Sequence, residues 1–144
     1  MSSKKQLAHA ISIVAKAFKD KLDKSGEPYI LHCLYVMDKQ TTDTRRIIGI
    51  LHDLVEDTDW DFADLRRKGF GDAIIIPLML LTHDPTVKTY EEYIAEISTN
   101  EDARAVKMAD LEHNSQPFRL KGLTKADFAR IEKYHKAYVY LSKV

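Results

Sequence analysis

An all-α fold in one domain is what this sequence predicts, and three observations predict it. Apolar residues recur at three- and four-residue spacing along almost the whole chain, the repeat of one helix face. Caps and breakers punctuate that repeat at short intervals. The one segment that passes for a strand, AIIIPLMLL at 73–81, has no partner strand elsewhere.

The elements follow in order. Leu7, Ala10, Ile11, Val14, Ala17 and Phe18 share a face and give a first amphipathic helix running to about Lys21. DKSGEPY at 23–29 ends it, because Gly26 and Pro28 are turn residues and Glu27, standing before a proline, is pushed out of helical geometry. YILHCLYVMDK at 29–39 resumes a helix. Thr42 or Asp43 then caps the next helix, which carries LHDLVEDT at 51–58. A short helix is expected near DFADLRRKG at 61–69, another over DAIIIPLMLL at 72–81, a third from about Tyr90 to Ser98, and a fourth from Glu101 to about Asn114. The last starts at the Thr124-to-Asp127 capping pattern and runs towards Leu141.

Composition narrows the function classes. With 144 residues and 44% hydrophobic content, a single domain over 1–144 can bury a real core without disulfides or a structural metal. Basic and acidic residues balance at 22 each, so nothing global points to nucleic acid or a membrane as a partner, and a charged ligand must be met by local arrangement. The single cysteine, Cys33, lies in no zinc-type spacing and suits a reducing cytoplasm. Lysines at 16, 19 and 21 interrupt the apolar N-terminal stretch, which predicts neither a signal peptide nor a spanning helix.

The chemistry concentrates in LHDLVEDT, where His52, Asp53, Glu56 and Asp57 follow the apolar run RRIIGI. Wound at about 100° per residue, Ile47, Ile48, Ile50, Leu51, Leu54 and Val55 take one arc and the four polar residues the other. One side anchors; the other collects groups that bind metals or move protons. A lone cluster of this kind is most often solvated surface. A second cluster argues otherwise: Lys107, Asp110 and Asn114 stand at i, i+3 and i+7 on one face. Asp110 offers a hard oxygen ligand, Asn114 can donate to a phosphate or orient a water, and Lys107 can offset negative charge.

Four segments, DKSGEPYILH, LHDLVEDT, LTH followed by YEEYI, and VKMADLEHN, resemble in order and spacing the HD-superfamily metal-dependent phosphohydrolases. Within them the chain looks most like the hydrolase domain of the Rel/SpoT enzymes and the small stand-alone (p)ppGpp hydrolases. LTKADFARIEKYHKAY is similar to the closing helix of the single-domain members. The resemblance implies an all-helical fold and a divalent ion, commonly manganese, that activates a water to cleave a phosphate ester; in the Rel/SpoT branch pyrophosphate leaves a guanosine 3′-diphosphate. It assigns His52, Asp53 and Asp110 to the metal. Glu56 and Asp57 match the acidic pair that handles the attacking water, Asn114 a residue near the substrate, and Lys24 and Tyr29 the ligand-contacting turn.

Three positions depart from the pattern. Phe18 stands where the resemblance places the first metal histidine, which implies a weakened or lost metal site; His32 of YILH matches no usual ligand. Asp23 replaces an arginine suited to stacking on a purine, and Cys33 replaces a proline as a packing change. Two readings follow: a phosphohydrolase acting on a phosphorylated nucleotide, or a catalytically silent HD domain that binds a nucleotide or protein partner. His83 reads as a cap or surface residue, His113 as lying outside the ligand set, and Trp60 as pocket wall or gap filler in equal measure. Oligomeric state has no signature in the sequence.

Overall fold

The computed structural model describes residues 2–144, and among them the regular structure is helical, nine α-helices and one 3₁₀ turn. Helix α1 (Ser3–Ala17) starts at Ser2, whose hydroxyl accepts the Lys5 N–H, and buries Ala10, Ile13 and Val14. It stops short of the expected Lys21: Phe18 is its cap, and the chain then enters a tight turn in which Leu22 bridges Pro28 and Gly26 adopts φ +86°. Helices α2 (Ile30–Asp38) and α3 (Asp43–Leu51) follow, the second capped by the Thr42 hydroxyl.

Helix α3 is the centre of the molecule, with α1, α2, α6 and α8 packed around it. Ile47, Ile48, Ile50 and Leu51 are each at most 1% exposed. Helix α2 comes closest at Gly49, where an added Cβ would lie 3.2 Å from the Met37 backbone and 3.3 Å from the Val36 carbonyl. That is tighter than ordinary contact, and a Cβ there would push the α2 backbone back by a few tenths of an ångström, so glycine favours the close spacing of the two helices.

The helix expected to run on to Asp57 breaks. α3 ends at Leu51, and a separate turn of helix, α4 (Leu54–Asp57), follows. The His52 ring supplies the local reason: its Nδ1–H donates to the Gly49 carbonyl at 2.6 Å, an acceptor that an unbroken helix would give to the residue-53 N–H. The break turns His52 from the polar arc into the interior.

Beyond it come α5 (Phe62–Arg67), α6 (Asp72–Leu81), α7 (Tyr90–Ile97), α8 (Glu101–Asn114), the 3₁₀ turn Pro117–Arg119 and α9 (Lys125–Ser142). Capping boxes start α5, α7 and α9, the last being the Thr124–Asp127 pair. Residues 73–81 are helical despite the buried Pro77 within them. α9 lies against α8. Trp60 is half-buried against the core and lines a surface pocket with Asp59, Asp64, Arg67 and Lys68, separate from the polar cluster. No helix among the described residues is long and apolar enough to cross a membrane.

Candidate metal centre and adjoining cavity

Three elements converge on one point. His32 comes from the first turn of α2, His52 and Asp53 from the break after α3, and Asp110 from α8, and a ligand atom from each lies within 4.8 Å of the others. His32 Nε2 is 2.9 Å from Asp110 Oδ1 and 3.7 Å from Asp53 Oδ2; His52 Nε2 is 3.1 Å from Asp53 Oδ2 and 3.3 Å from Asp110 Oδ1. Atoms bound at about 2.1 Å to one ion stand roughly 3 Å apart at right angles and about 4 Å apart when opposed. Two nitrogens and two oxygens at these separations fit a divalent transition metal.

Every donor has a second partner that aims it. The His52 Nδ1–H on Gly49 leaves Nε2 to face the cluster. His32 Nδ1 pairs with His113 Nδ1 at 2.7 Å, and the His113 ring is stacked on Tyr35 at 3.9 Å. Burial, with the nearby charge of Arg119, lowers His113 to about 4. The Tyr29 hydroxyl donates to Asp53 Oδ2 at 2.5 Å. Asp110 takes Lys107 Nζ on Oδ2 and Asn114 Nδ2 on Oδ1, both at 2.9 Å.

Opposed charges offset the cost of burying this cluster. Burial alone would raise Asp110, but Lys107 and the two imidazoles hold it well below the ordinary carboxylate range. Burial would lower His52, yet Asp53 and Asp110 hold it well above the usual imidazole value. Glu56, beside the cluster, is shifted up, first by burial and then by the charges of Asp53 and Asp57, although the His83 backbone N–H on its Oε1 at 2.8 Å works the other way. Cys33 is buried and its thiol pushed up to about 12, the state of a packing residue.

The cluster opens into a polar compartment of about 230 Å³ that also takes in Glu56, Asp57, Lys107 and Tyr93. Beside it lies a wider cavity of about 310 Å³ lined by Lys21, Asp23, Lys24, Arg119 and Arg130 among others. Tyr29, Asn114 and Tyr134 line both.

No protein-family model matches the chain. It is 33% identical over 134 residues to a GTP pyrophosphokinase of Streptomyces coelicolor and 32% identical over 134 residues to one of Streptomyces antibioticus, 82% of this chain being covered in each. The chain spans about 15% of the length of these curated relatives. A solved structure of a metazoan ortholog of SpoT, described as hydrolysing ppGpp and playing a role in starvation responses, superimposes with a TM-score of 0.78. It is 22% identical and covers 94% of this chain and 84% of its own. The chain has the fold of a Rel/SpoT-type HD domain.

Within this HD domain the sequence-derived expectations separate. His52, Asp53 and Asp110 come together, with Glu56, Asp57 and Asn114 around them. Lys107 is a half-buried partner of Asp110, and Lys24 lies exposed on the wide cavity's wall and does not line the polar compartment. The geometry does not favour the implied loss of a ligand at position 18. Phe18 is buried, its ring 5.2 Å from that of Tyr29, and the second imidazole comes from His32. A lone histidine on an apolar helix reads as core, and only the close approach of α2 at Gly49 makes it part of a site. His83 contributes through its backbone rather than its ring, and His113 stands directly behind His32.

Proposed function

We propose that this chain is a metal-dependent phosphohydrolase that releases pyrophosphate from the 3′ position of a guanosine nucleotide of the (p)ppGpp type, with manganese as its ion. The observation that carries the reading is the convergence of His32, His52, Asp53 and Asp110 beside two further carboxylates, at the edge of a cavity walled by lysines and arginines. Those four residues would hold the ion, which when bound acidifies water and draws charge from a phosphate.

The protein's own groups do the rest. Glu56, fixed by the His83 N–H and raised in basicity by its surroundings, takes a proton from the attacking water. The water oxygen joins the phosphorus, the bond from phosphorus to the 3′ oxygen breaks, and the 3′ oxygen leaves as a hydroxyl by taking a proton from solvent water, Glu56 returning its own to solvent afterwards. Asn114, placed in both compartments, steadies the substrate while holding Asp110. The silent-domain reading rested on Phe18 and Asp23, and a second imidazole, His32, beside His52 speaks against the first of these grounds.

The test is manganese-loaded protein with ppGpp. Pyrophosphate should appear in step with a guanosine 5′-diphosphate, and Glu56→Gln, which keeps size but removes the proton acceptor, should abolish turnover while leaving manganese affinity unchanged. A fully active Glu56→Gln protein would remove Glu56 from its proposed role, and no release by the parent protein would remove the reading.

A further inference from the structure

The positive side chains around the two compartments are mostly committed. Lys107 is held inside by Asp110, Arg119 donates to the His113 carbonyl at 3.0 Å and to Asp23 at 3.2 Å, and Arg130 pairs with Asp127. Lys21 differs. Its Nζ lies 3.2 Å from Asp57 Oδ2, 4.1 Å from the centre of the Tyr29 ring and 5.4 Å from that of Phe18. It lines the wide cavity while its partner Asp57 lines the metal compartment, so the ammonium group stands at their junction.

The backbone fixes that position. The Lys21 carbonyl accepts the Tyr29 N–H at 2.9 Å, and Leu22 bridges Pro28 directly after it. The Phe18 and Tyr29 rings give the cation an aromatic floor, which favours positive charge there. Both members of the Lys21–Asp57 pair are part-exposed, with side chains 39% and 27% accessible, so the contact is solvated and open to exchange.

We propose that Lys21 is the specificity-determining contact for the second phosphate of a diphosphate group. A substrate whose first phosphorus lies at the metal cluster extends its next phosphate towards this junction, and Lys21 leaves Asp57 for the more highly charged phosphate oxygens. Asp57 is thereby released next to the water site as the substrate arrives. The proposal rests on the hydrolase reading for its reaction, but the contact itself is one of binding and is measured without turnover.

The test compares the parent protein with Lys21→Met, which keeps the stem and removes the charge, and with Lys21→Arg, which keeps the charge. Manganese-loaded protein is titrated calorimetrically with inorganic pyrophosphate and with orthophosphate. Losing one charge-assisted contact should weaken pyrophosphate binding in Lys21→Met by roughly 10- to 100-fold. Orthophosphate and manganese affinities should hold, and Lys21→Arg should retain most of the pyrophosphate affinity. For a nucleotide 3′-diphosphate, KM should rise far more than kcat falls. Unchanged pyrophosphate affinity in Lys21→Met, an equal loss for orthophosphate, or no pyrophosphate binding by the parent protein would each overturn the proposal. Lys21-dependent pyrophosphate binding without nucleotide turnover would instead overturn the hydrolase reading and leave the contact standing.

Discussion

The metal compartment and the cavity beside it share Tyr29, Asn114 and Tyr134, yet they are built from different material. The four residues of the cluster come from helices and a helix break packed on the core, and each has a second partner: Gly49 for His52, His113 for His32, Tyr29 for Asp53, Lys107 and Asn114 for Asp110. The cavity is walled largely by the turn at 21–25 and the segment at 116–120, where Lys24 is exposed and Phe118 stands 98% exposed beside Arg119. A hydrogen-bonded, buried constellation cannot change one member without unpairing another. Turn residues change at small cost. Fixed chemistry with adaptable recognition follows from that contrast, and it accounts for Asp23, the departure from the HD pattern that lies in the turn; Phe18 and Cys33, the other two, are buried packing residues.

The largest effect expected is on the metal. His32→Ala should lower manganese affinity by more than the roughly 10- to 100-fold typical of a residue that only supports a ligand, because it removes a ligand itself. Phe18→His should give no gain, since the second imidazole is already supplied, and exchanging a buried phenyl ring should cost about 1–3 kcal/mol of stability. Calorimetric titration with manganese and thermal melting of both variants check this. A rise in affinity for Phe18→His together with no loss for His32→Ala would move the ligand back to position 18.

The sequence disclosed the two-cluster layout because each part obeys a local rule. Lys107, Asp110 and Asn114 keep a helical spacing through α8 and share a face in the structure as they do on a helical wheel. His52 and Asp53 were visible by residue type, but their directions were not: they lie at a helix break created by the histidine's own hydrogen bond to Gly49. His32 and His113 meet through tertiary approach, 81 residues apart in sequence, so no spacing reveals the pair. Lys21 and the His83 backbone are silent for the same reason. The caps and breakers fixed most boundaries within a few residues, and there are two exceptions: the break after Leu51, and the end of α1 at Ala17, which falls where a bulky aromatic continues the apolar repeat into a turn.

A second contrast separates two glycines. Gly49→Ala places a Cβ against the α2 backbone, which cannot yield as a flexible side chain would, so α2 should shift and carry His32 away from His52. Stability should fall by about 1–3 kcal/mol, and manganese affinity with it. Gly26→Ala meets nothing within 4 Å and suffers only from φ +86°, a strain of about 1–2 kcal/mol confined to the turn. It should raise the KM for the nucleotide and leave manganese binding alone. Equal effects of both on the metal would mean that the two regions move as one.

The smallest effect sharpens the comparison from the cavity side. Asp23 Oδ1 accepts the N–H and hydroxyl of Ser25 at 2.8 and 2.6 Å and the Glu27 N–H at 3.0 Å, and Oδ2 takes Arg119. Burial works upward on this carboxyl, but those hydrogen bonds and the Arg119 charge outweigh it and hold Asp23 below the ordinary range. A carboxylate depressed in the folded state contributes stability above its unfolded value of about 3.9, and loses it as pH falls through the lower folded value. Asp23→Asn keeps an acceptor for the turn and removes the charge, so the cost at neutral pH should be no more than about 1 kcal/mol. Melting temperatures of the two proteins, followed from pH 7 downward, should therefore differ slightly at first and converge below about pH 3.9. A gap that stays constant on acidification would show that the charge, as opposed to the hydrogen bonds, contributes nothing to the fold, and one that widens would mean that the fold raises this carboxyl instead of lowering it. The variant should also bind the nucleotide more tightly, because the cavity loses a negative charge facing the phosphates and Arg119 is freed to meet them.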